Sequence, residues 1–580
     1  MNNFFRIFFA SLLAIVVFAV LTLFVGVIFV SAVASGKEAV TGEKAVLVVD
    51  LADQYPEVPE TNPFSVFGGA PSKPSLYDLV RLIRHAKTNN SVKGIFLKCG
   101  RNSNQIATLQ EIRNALNDFN TSDKFVYAYG AVIPQAGYYV ASVADKVYCA
   151  PTGGLDWHGL TLTMPFIKGA LEKLEIQPQI FYAGKFKSAT EPFRETEMTE
   201  ANRLQSTALL NDIYQKFLTD ISTSRKLDTA SLRRYADSNE VQFAGAALSR
   251  KMVDGLKYDD EVKDEMRSLL KIDADEKINF VSTSKYAQAE DIVQSGSGKI
   301  AVIYAEGMIF DGTGDRGAIG GDTYRDYVRR ARMDKTVKAI VLRVNSEGGS
   351  AAASEQIWRE VDLAKKVKPV IVSFGDIAAS GGYYISCAAD SIFAQNNTIT
   401  GSIGVFGVIP NMQKFFNNKL GITFDDVHTS PDAGMQTVVK PLTETQKRYI
   451  QSGVDSVYIQ FKQRVAKGRN RPLDEIENIA QGRVWSGSTA VQLGLVDRIG
   501  GIQDAVAAAA AKAKLKDYRL KEYPGKQSFF EMFFNSEPQK ESMIKQELGE
   551  EGYKTYSAVR AMKKLVGSVQ ARMPFGITIE

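Results

Sequence analysis

The sequence predicts an α/β protein made of two tandem repeats with mostly parallel sheets, and three observations carry that expectation. First, one turn is written twice, as "YGAVIPQAGYY" at 129–139 and "FGDIAASGGYY" at 374–384, 245 positions apart. Second, other pairs keep nearly the same offset. "VKGIFLK" (92–98) matches "VKAIVLR" (337–343), "ASVADKVYCAP" matches "SCAADSIFAQN", and "MTEANRLQSTALLNDIYQKF" (198–217) parallels "LTETQKRYIQSGVDSVYIQF" (442–461). A register that drifts this little over so long a stretch marks a duplication. Third, strand-length apolar runs alternate with helical patterns, and runs apolar on both faces suit parallel strands buried under helices.

The elements follow in chain order. After Arg6, residues 7–35 read "IFFASLLAIVVFAVLTLFVGVIFVSAVAS", with no charge until Lys37. A spanning helix takes about 20 apolar residues, whereas the apolar part of a signal peptide runs to about 7–15. A transmembrane anchor over 1–36 is therefore expected, its amino end cytoplasmic on the strength of Arg6. Cleavage after Ala34, at an A-x-A site, is the alternative. A first α/β repeat is expected over 37–293, with strands in "KAVLVVDL" and "KGIFLK". "QSGSGK" (294–299) reads as a linker. A second repeat over 294–520 has strands in "KIAVIYAEG", "KAIVLRV" and "KPVIVSF", and a helix in "SEQIWREVDLAKKV" with Ile357, Val361 and Leu363 on one side. The tail, 521–580, contains "SFFEMFF" and an amphipathic stretch; it is expected to dock on its own domain or a sister subunit, or to touch the membrane.

Composition narrows the chemistry. Seventy Lys and Arg against 65 Asp and Glu leave a net charge of +5 over 580 residues, with no long basic run, so nucleic acid is not an expected partner. Three cysteines without a CxxC pair make no disulfide framework and read as small buried residues. Only three histidines are present, His85, His158 and His428. A serine nucleophile in this chain therefore calls for a different base.

Ser380 is the candidate nucleophile. It follows the apolar run "VIVSFG" and precedes the helix-like "GGYYISCAA", so a strand-turn-helix presents it beside a helix amino terminus, where N–H groups favour an oxyanion. Gly381 lets backbone and substrate approach. "RVNSEGGSAAASE" (343–355) is a second strand end with glycines, and the N–H groups of Gly348 and Gly349 are candidate oxyanion donors, each worth about 2.7–4 kcal/mol. "TGSIGVFG" (400–407) adds Ser402. In the first repeat the aligned places hold Gln135, Ser103, Asn104 and Trp157. Three separated elements have lost their small or hydroxyl residues together, as a shared chemical role would require. A lysine held neutral by burial can serve as base, although spacing alone does not choose which one.

Four motifs, "GDIAASGGYYIS", "RVNSEGGSAAASE", "TGSIGVFG" and "GKFKSATEPF" (184–193), together resemble the long, two-repeat form of the signal peptide peptidase A (protease IV) family. The likeness runs from the amino-terminal segment to about residue 510. It implies a ClpP/crotonase-like fold and a Ser–Lys dyad, with Ser380 as nucleophile, Lys187 of the first repeat as base, Ser402 orienting the lysine and Gly349 donating to the oxyanion. Lys185 competes for the role of base, since residues two apart in an extended segment share a face. Glu347 stands where the family commonly has proline. The resemblance further implies a membrane-anchored endopeptidase on the extracytoplasmic face of a bacterial inner membrane, acting on signal-peptide remnants and similar apolar peptides as a homotetramer, with neither metal nor cofactor. Two other readings are a crotonase-like acyl-CoA enzyme and a catalytically inactive membrane-surface scaffold.

Overall fold

A computed structural model describes residues 7–18, 20–22, 40–58, 73–290, 296–314, 317–435, 437–525 and 569–573. Most of the expected anchor, part of the linker and most of the tail, "SFFEMFF" included, lie outside the described residues. Residues 7–18 are helical with exposed apolar side chains. Among the described residues no helix is long and apolar enough to cross a membrane.

In the first half, β1 (Ala45–Asp50), β2 (Val92–Lys98), β3 (Phe125–Pro134), β4 (Lys146–Asp156), β5 (Gln177–Ala183), β6 (Gly255–Leu256) and β7 (Phe280–Ser282) follow in order. All but β5 form one parallel sheet, ordered β6-β4-β3-β2-β1-β7. The second half contributes β8 (Gly298–Glu306), β9 (Ile309–Phe310), β10 (Ile319–Gly320), β11 (Val337–Ser346), β12 (Gly348–Ser350), β13 (Val370–Ala379), β14 (Ser391–Ala394), β15 (Ile399–Gly401), β16 (Val405–Asn411), β17 (Val484–Ser486), β18 (Arg498–Ile499) and β19 (Tyr518–Tyr523), with β20 (Gln570–Arg572) near the carboxyl end. Its main sheet runs β17-β15-β13-β11-β8-β19, with β14 beside β13 and β18 beside β14, and only the β15–β17 pair is antiparallel. β19 extends this sheet to Tyr523, past the expected end of the second repeat at 520.

The duplication shows in the elements. β2 and β11, β3 and β13, and β4 and β14 each begin 245 residues apart. Both halves also carry a 26-residue helix, Glu200–Arg225 and Glu444–Arg469. Each starts at a threonine, Thr199 or Thr443, whose hydroxyl accepts an N–H of the first turn, and each ends on a left-handed residue, Lys226 or Asn470. In the helix Ala351–Lys365 the buried stripe is Ile357, Trp358, Val361 and Ala364, while Leu363 is half-buried. The helical period passes through Ala364, so the expected place for Leu363 is one residue off.

Two features lock the halves together. A third sheet, β10-β9-β12-β20-β16-β5, mixes both halves, with β5 antiparallel to β16 over seven pairs from Ala183–Val405 to Gln177–Asn411. Behind it, fully buried Arg343 of β11 pairs with Glu57 at 2.8 Å and Glu111 at 2.6 Å, both from the first half. Its guanidinium also donates to Ser373 Oγ and the Phe374 carbonyl, each at 2.8 Å. Asp376 accepts from the N–H and hydroxyl of Thr108, at 2.8 and 2.6 Å. A desolvated charge of this kind is tolerated only with its partners in place, which fixes the relative position of the halves.

Candidate active site

Ser380 joins β13 to the helix Gly381–Ser386 with φ 54° and ψ −114°, a conformation unfavourable for a residue with a Cβ. Backbone strain of about 1–3 kcal/mol persists only where surroundings enforce it. Here the Ser380 N–H donates to the Gly401 carbonyl at 2.8 Å, pinning the turn to β15. Ser402, at the end of β15, is also left-handed (φ 50°), with its N–H on the Arg483 carbonyl at 2.7 Å. Two neighbouring chain ends therefore turn their hydroxyls into one buried space.

Lys187 fills that space from the first half. β5 ends at Ala183, and four residues later Lys187 Nζ lies 2.9 Å from Ser380 Oγ, 3.0 Å from Ser402 Oγ and 3.3 Å from the Ser402 carbonyl. All three side chains are buried, and the Phe406 ring centroid is 6.0 Å from Nζ. Burial, with no carboxylate paired to it among the described residues, holds the Lys187 pKa well below the usual 10.5. A neutral amine has two N–H bonds and one lone pair. The Ser402 carbonyl only accepts, so one N–H goes there; with the other on Ser402 Oγ, the lone pair faces the Ser380 hydroxyl. Lys185 is exposed, with its Nζ 5.8 Å from the Phe186 ring centroid. His428 is exposed and pairs with Asp426.

The residues that hold Lys187 carried no signal in the sequence reading. Gly482 has φ +76°, and a Cβ there would stand 2.7 Å from the Lys187 backbone. The Phe186 N–H donates to the Gln481 carbonyl at 2.7 Å, and Gln205 Nε2 donates to the Phe186 carbonyl at 3.0 Å. The run "AQGRVWSG" (480–487) was a possible clue, as a glycine-bearing turn just before a strand, but nothing local ties it to residue 187.

The glycine loop is divided. The Gly348 N–H donates to Ser346 Oγ at 3.1 Å, and Ser346 Oγ donates to the Gly307 carbonyl. This Gly348 N–H is committed to the loop itself, which departs from its expected role as an oxyanion donor. Gly348 instead makes room: at φ +99°, a Cβ on it would lie 2.6 Å from the Gly381 nitrogen. Gly349 lies in β12, which pairs antiparallel with β20, and stands opposite Ala571. Glu347 projects its carboxylate to Arg572 of β20 at 3.0 Å.

The aligned places in the first half are filled and closed. Gln135 Nε2 donates to the Gly159 carbonyl at 2.5 Å, and its oxygen accepts from Gly159 N–H at 3.2 Å. Trp157 is buried, stacks on Phe217 and donates to the Leu232 carbonyl at 2.9 Å. Asn104 bridges the Leu51 and Asp53 carbonyls and the Tyr55 N–H. Cys99, Cys149 and Cys387 are all buried thiols.

Comparison with known proteins agrees with this duplicated architecture. The model of Peptidase family S49 matches twice, over residues 118–273 and 362–516. Protease 4 of Salmonella typhi is 35% identical over 538 residues, covering 90% of this chain and 86% of that protein. Protease 4 of Haemophilus influenzae is 35% identical over 452 residues, 75% of this chain and 72% of that one. A putative signal peptide peptidase SppA of Enterococcus faecium is 34% identical over 254 residues, 42% of this chain and 73% of its own length. Two family matches, a relative that parallels nearly the whole chain and a buried serine facing a buried lysine lead to one assignment: the chain belongs to peptidase family S49.

Proposed function

We propose that this chain is a serine endopeptidase that works through a Ser380–Lys187 dyad. The observation that carries the reading is the 2.9 Å approach of Lys187 Nζ to Ser380 Oγ in a buried place with no carboxylate beside it among the described residues. Neutral Lys187 accepts the Ser380 proton as Oγ bonds to the peptide carbonyl carbon. The carbonyl oxygen becomes an oxyanion held by the N–H groups of Gly349 and Gly381. The lysine, now an ammonium, passes its proton to the leaving amine as the C–N bond breaks. Water, deprotonated by the same lysine, then hydrolyses the acyl-enzyme and restores Ser380. Ser402 holds the amine in the orientation that keeps its lone pair on the serine.

The relatives' names support signal-peptide remnants and similar apolar peptides as substrates. The apolar run 7–35 supports a single membrane anchor that leaves the two repeats, 37–293 and 294–520, and the tail on the extracytoplasmic face of a bacterial inner membrane, and the family resemblance implies a homotetramer. A crotonase-like acyl-CoA enzyme would leave Lys187 without a task, and an inactive scaffold would have no reason to keep the strained Ser380.

The test is peptide hydrolysis by the purified full-length protein, followed with a quenched fluorogenic peptide of apolar sequence. Ser380→Ala and Lys187→Ala should each lose at least about 10³-fold in kcat/KM, whereas Lys185→Ala should stay close to wild type. Wild-type turnover in either of the first two variants ends the dyad reading.

A further inference from the structure

Lys187 sits at the centre of a three-residue turn. Its backbone has φ −74° and ψ 76°, and the Ser188 N–H donates to the Phe186 carbonyl at 2.8 Å. This is an inverse γ-turn, whose central residue has φ about −75° and ψ about +65°. A turn closed by one such bond does not by itself fix where a long side chain points. Both of its ends are held by a single side chain of the first half. Gln205, 2% exposed in the helix Glu200–Arg225, donates from Nε2 to the Phe186 carbonyl at 3.0 Å and to Ser188 Oγ at 3.1 Å. Its Oε1 accepts from the Val484 N–H at 3.3 Å. A carbonyl only accepts and a peptide N–H only donates, so this amide can face only one way. Val484 lies in the edge strand β17, opposite Gly401 of β15, and the Gly401 carbonyl takes the Ser380 N–H. One amide therefore joins the turn that carries Lys187 to the strand pair that pins Ser380. The two copies differ here as well. With Thr199 matched to Thr443, the place of Gln205 in the second long helix is taken by Tyr449, whose side chain is exposed.

We propose that Gln205 is a positioning residue for the dyad: its amide staples the turn of Lys187 to the edge of the serine-bearing sheet, and so sets the approach of the amine to Ser380 and keeps it out of water. The proposal rests on the dyad reading of the site. Gln205 acts through Lys187 and touches neither Ser380 nor a substrate. A leucine in its place has a similar size and none of its hydrogen bonds, and it leaves the Val484 N–H buried without a partner. The turn then relaxes toward solvent, and the amine loses both its aim at Ser380 Oγ and its dry surroundings. Misaiming lowers the rate of the chemical step, because reacting atoms must be held in a near-attack geometry. Hydration acts separately, by restoring the proton that burial removes from the amine. Substrate affinity is untouched by either change, so the loss belongs to kcat and not to KM.

The experiment records pH profiles of kcat and KM for the full-length protein and for Gln205→Leu. Leu218→Ala, at a buried core position of the same helix, serves as the comparison for lost stability alone. Gln205→Leu should lower kcat about 100-fold near neutral pH at unchanged KM. It should also move the midpoint of the rise in kcat/KM upward by at least about one pH unit. Leu218→Ala should lower Tm and leave that midpoint in place. A wild-type midpoint in Gln205→Leu, or a shift that Leu218→Ala reproduces, overturns the proposal. A second measurement needs no catalysis. Tm is followed from about pH 7 to about pH 10 for the wild type, Lys187→Met, Gln205→Leu and the double variant. In the wild-type background the gain in Tm from Lys187→Met should shrink as pH rises, since burial lowers the pKa of the folded amine. In the Gln205→Leu background the gain should be smaller and independent of pH, because a hydrated amine binds its proton equally in folded and unfolded chains. A full, pH-dependent gain in that background likewise overturns the proposal. If no form hydrolyses any peptide, the dyad reading fails instead, and the Tm comparison still decides whether Gln205 keeps the amine dry.

Discussion

The two copies of the strand-turn-helix are built from one pattern and have come to opposite states. In the second copy the turn residue, Ser380, holds a left-handed backbone. Its counterpart Gln135 is an ordinary helical residue after Pro134, and its amide closes the turn on Gly159. The same contrast recurs at Gly349 against Asn104, where one copy keeps a glycine on which a Cβ would collide with the Ile309 carbonyl and the other ties the loop down with side-chain hydrogen bonds. Backbone strain survives where chemistry uses it, and is relieved where it does not. The first copy nevertheless supplies Lys187, so its loss of a site is a division of roles between halves.

The largest expected effect falls on that shared lysine. Lys187→Met should lower kcat/KM by about 10³-fold or more and yet melt at a higher temperature than wild type, because a buried amine without a counter-charge opposes folding. Between the depressed folded pKa and 10.5 the unfolded state binds the extra proton, so wild-type stability rises with pH across that window. The advantage of Lys187→Met in Tm should accordingly shrink as pH approaches 10.5. A Tm below wild type at every pH would contradict the desolvated-base description. The wild-type pH profile follows from the same shift: kcat/KM should climb and level off well below pH 10.5, and a climb that continues to pH 10 would remove Lys187 as the base.

Next is the joint between the halves. Arg343→Met strands Glu57 and Glu111 in the interior and should cost about 3–5 kcal/mol, read by urea denaturation. Smaller still are the effects at one residue from each of the two matching loops. Gly348→Ala drives a methyl group onto the Gly381 nitrogen and should cut kcat about 100-fold through misplacement of the oxyanion donors. Asn104→Ala should cost about 1–3 kcal/mol of stability with kcat unaltered. Equal effects of the two on kcat would erase the distinction between a working copy and a closed one.

The strands and the duplication were legible because they depend on short-range patterns: apolar runs and a constant offset. Ser380 and Ser402 were legible as residues lost in one copy and kept in the other. The choice between Lys185 and Lys187 was not, because it is decided by burial behind Gly482, almost 300 residues away. The commitment of the Gly348 N–H to Ser346 was hidden for a similar reason, since a two-residue loop bond leaves no periodic trace. β20 was invisible too: "VQARM" has the length and character of many loops, and only its partners make it a strand. Glu347, a mere departure from the family pattern in sequence, finds its partner in that segment.

The seven-pair ladder between β5 and β16 has a consequence for how the molecule comes into being. Ribosomes make the lysine first and the serine roughly two hundred residues later, and the amine reaches its place only when the strand that follows Ser402 has been synthesised and paired with β5. Until then, on the proposed dyad, a nascent chain carries either a base without a nucleophile or a serine without a base. A protease assembled this way stays harmless to its own half-made neighbours until both halves have met.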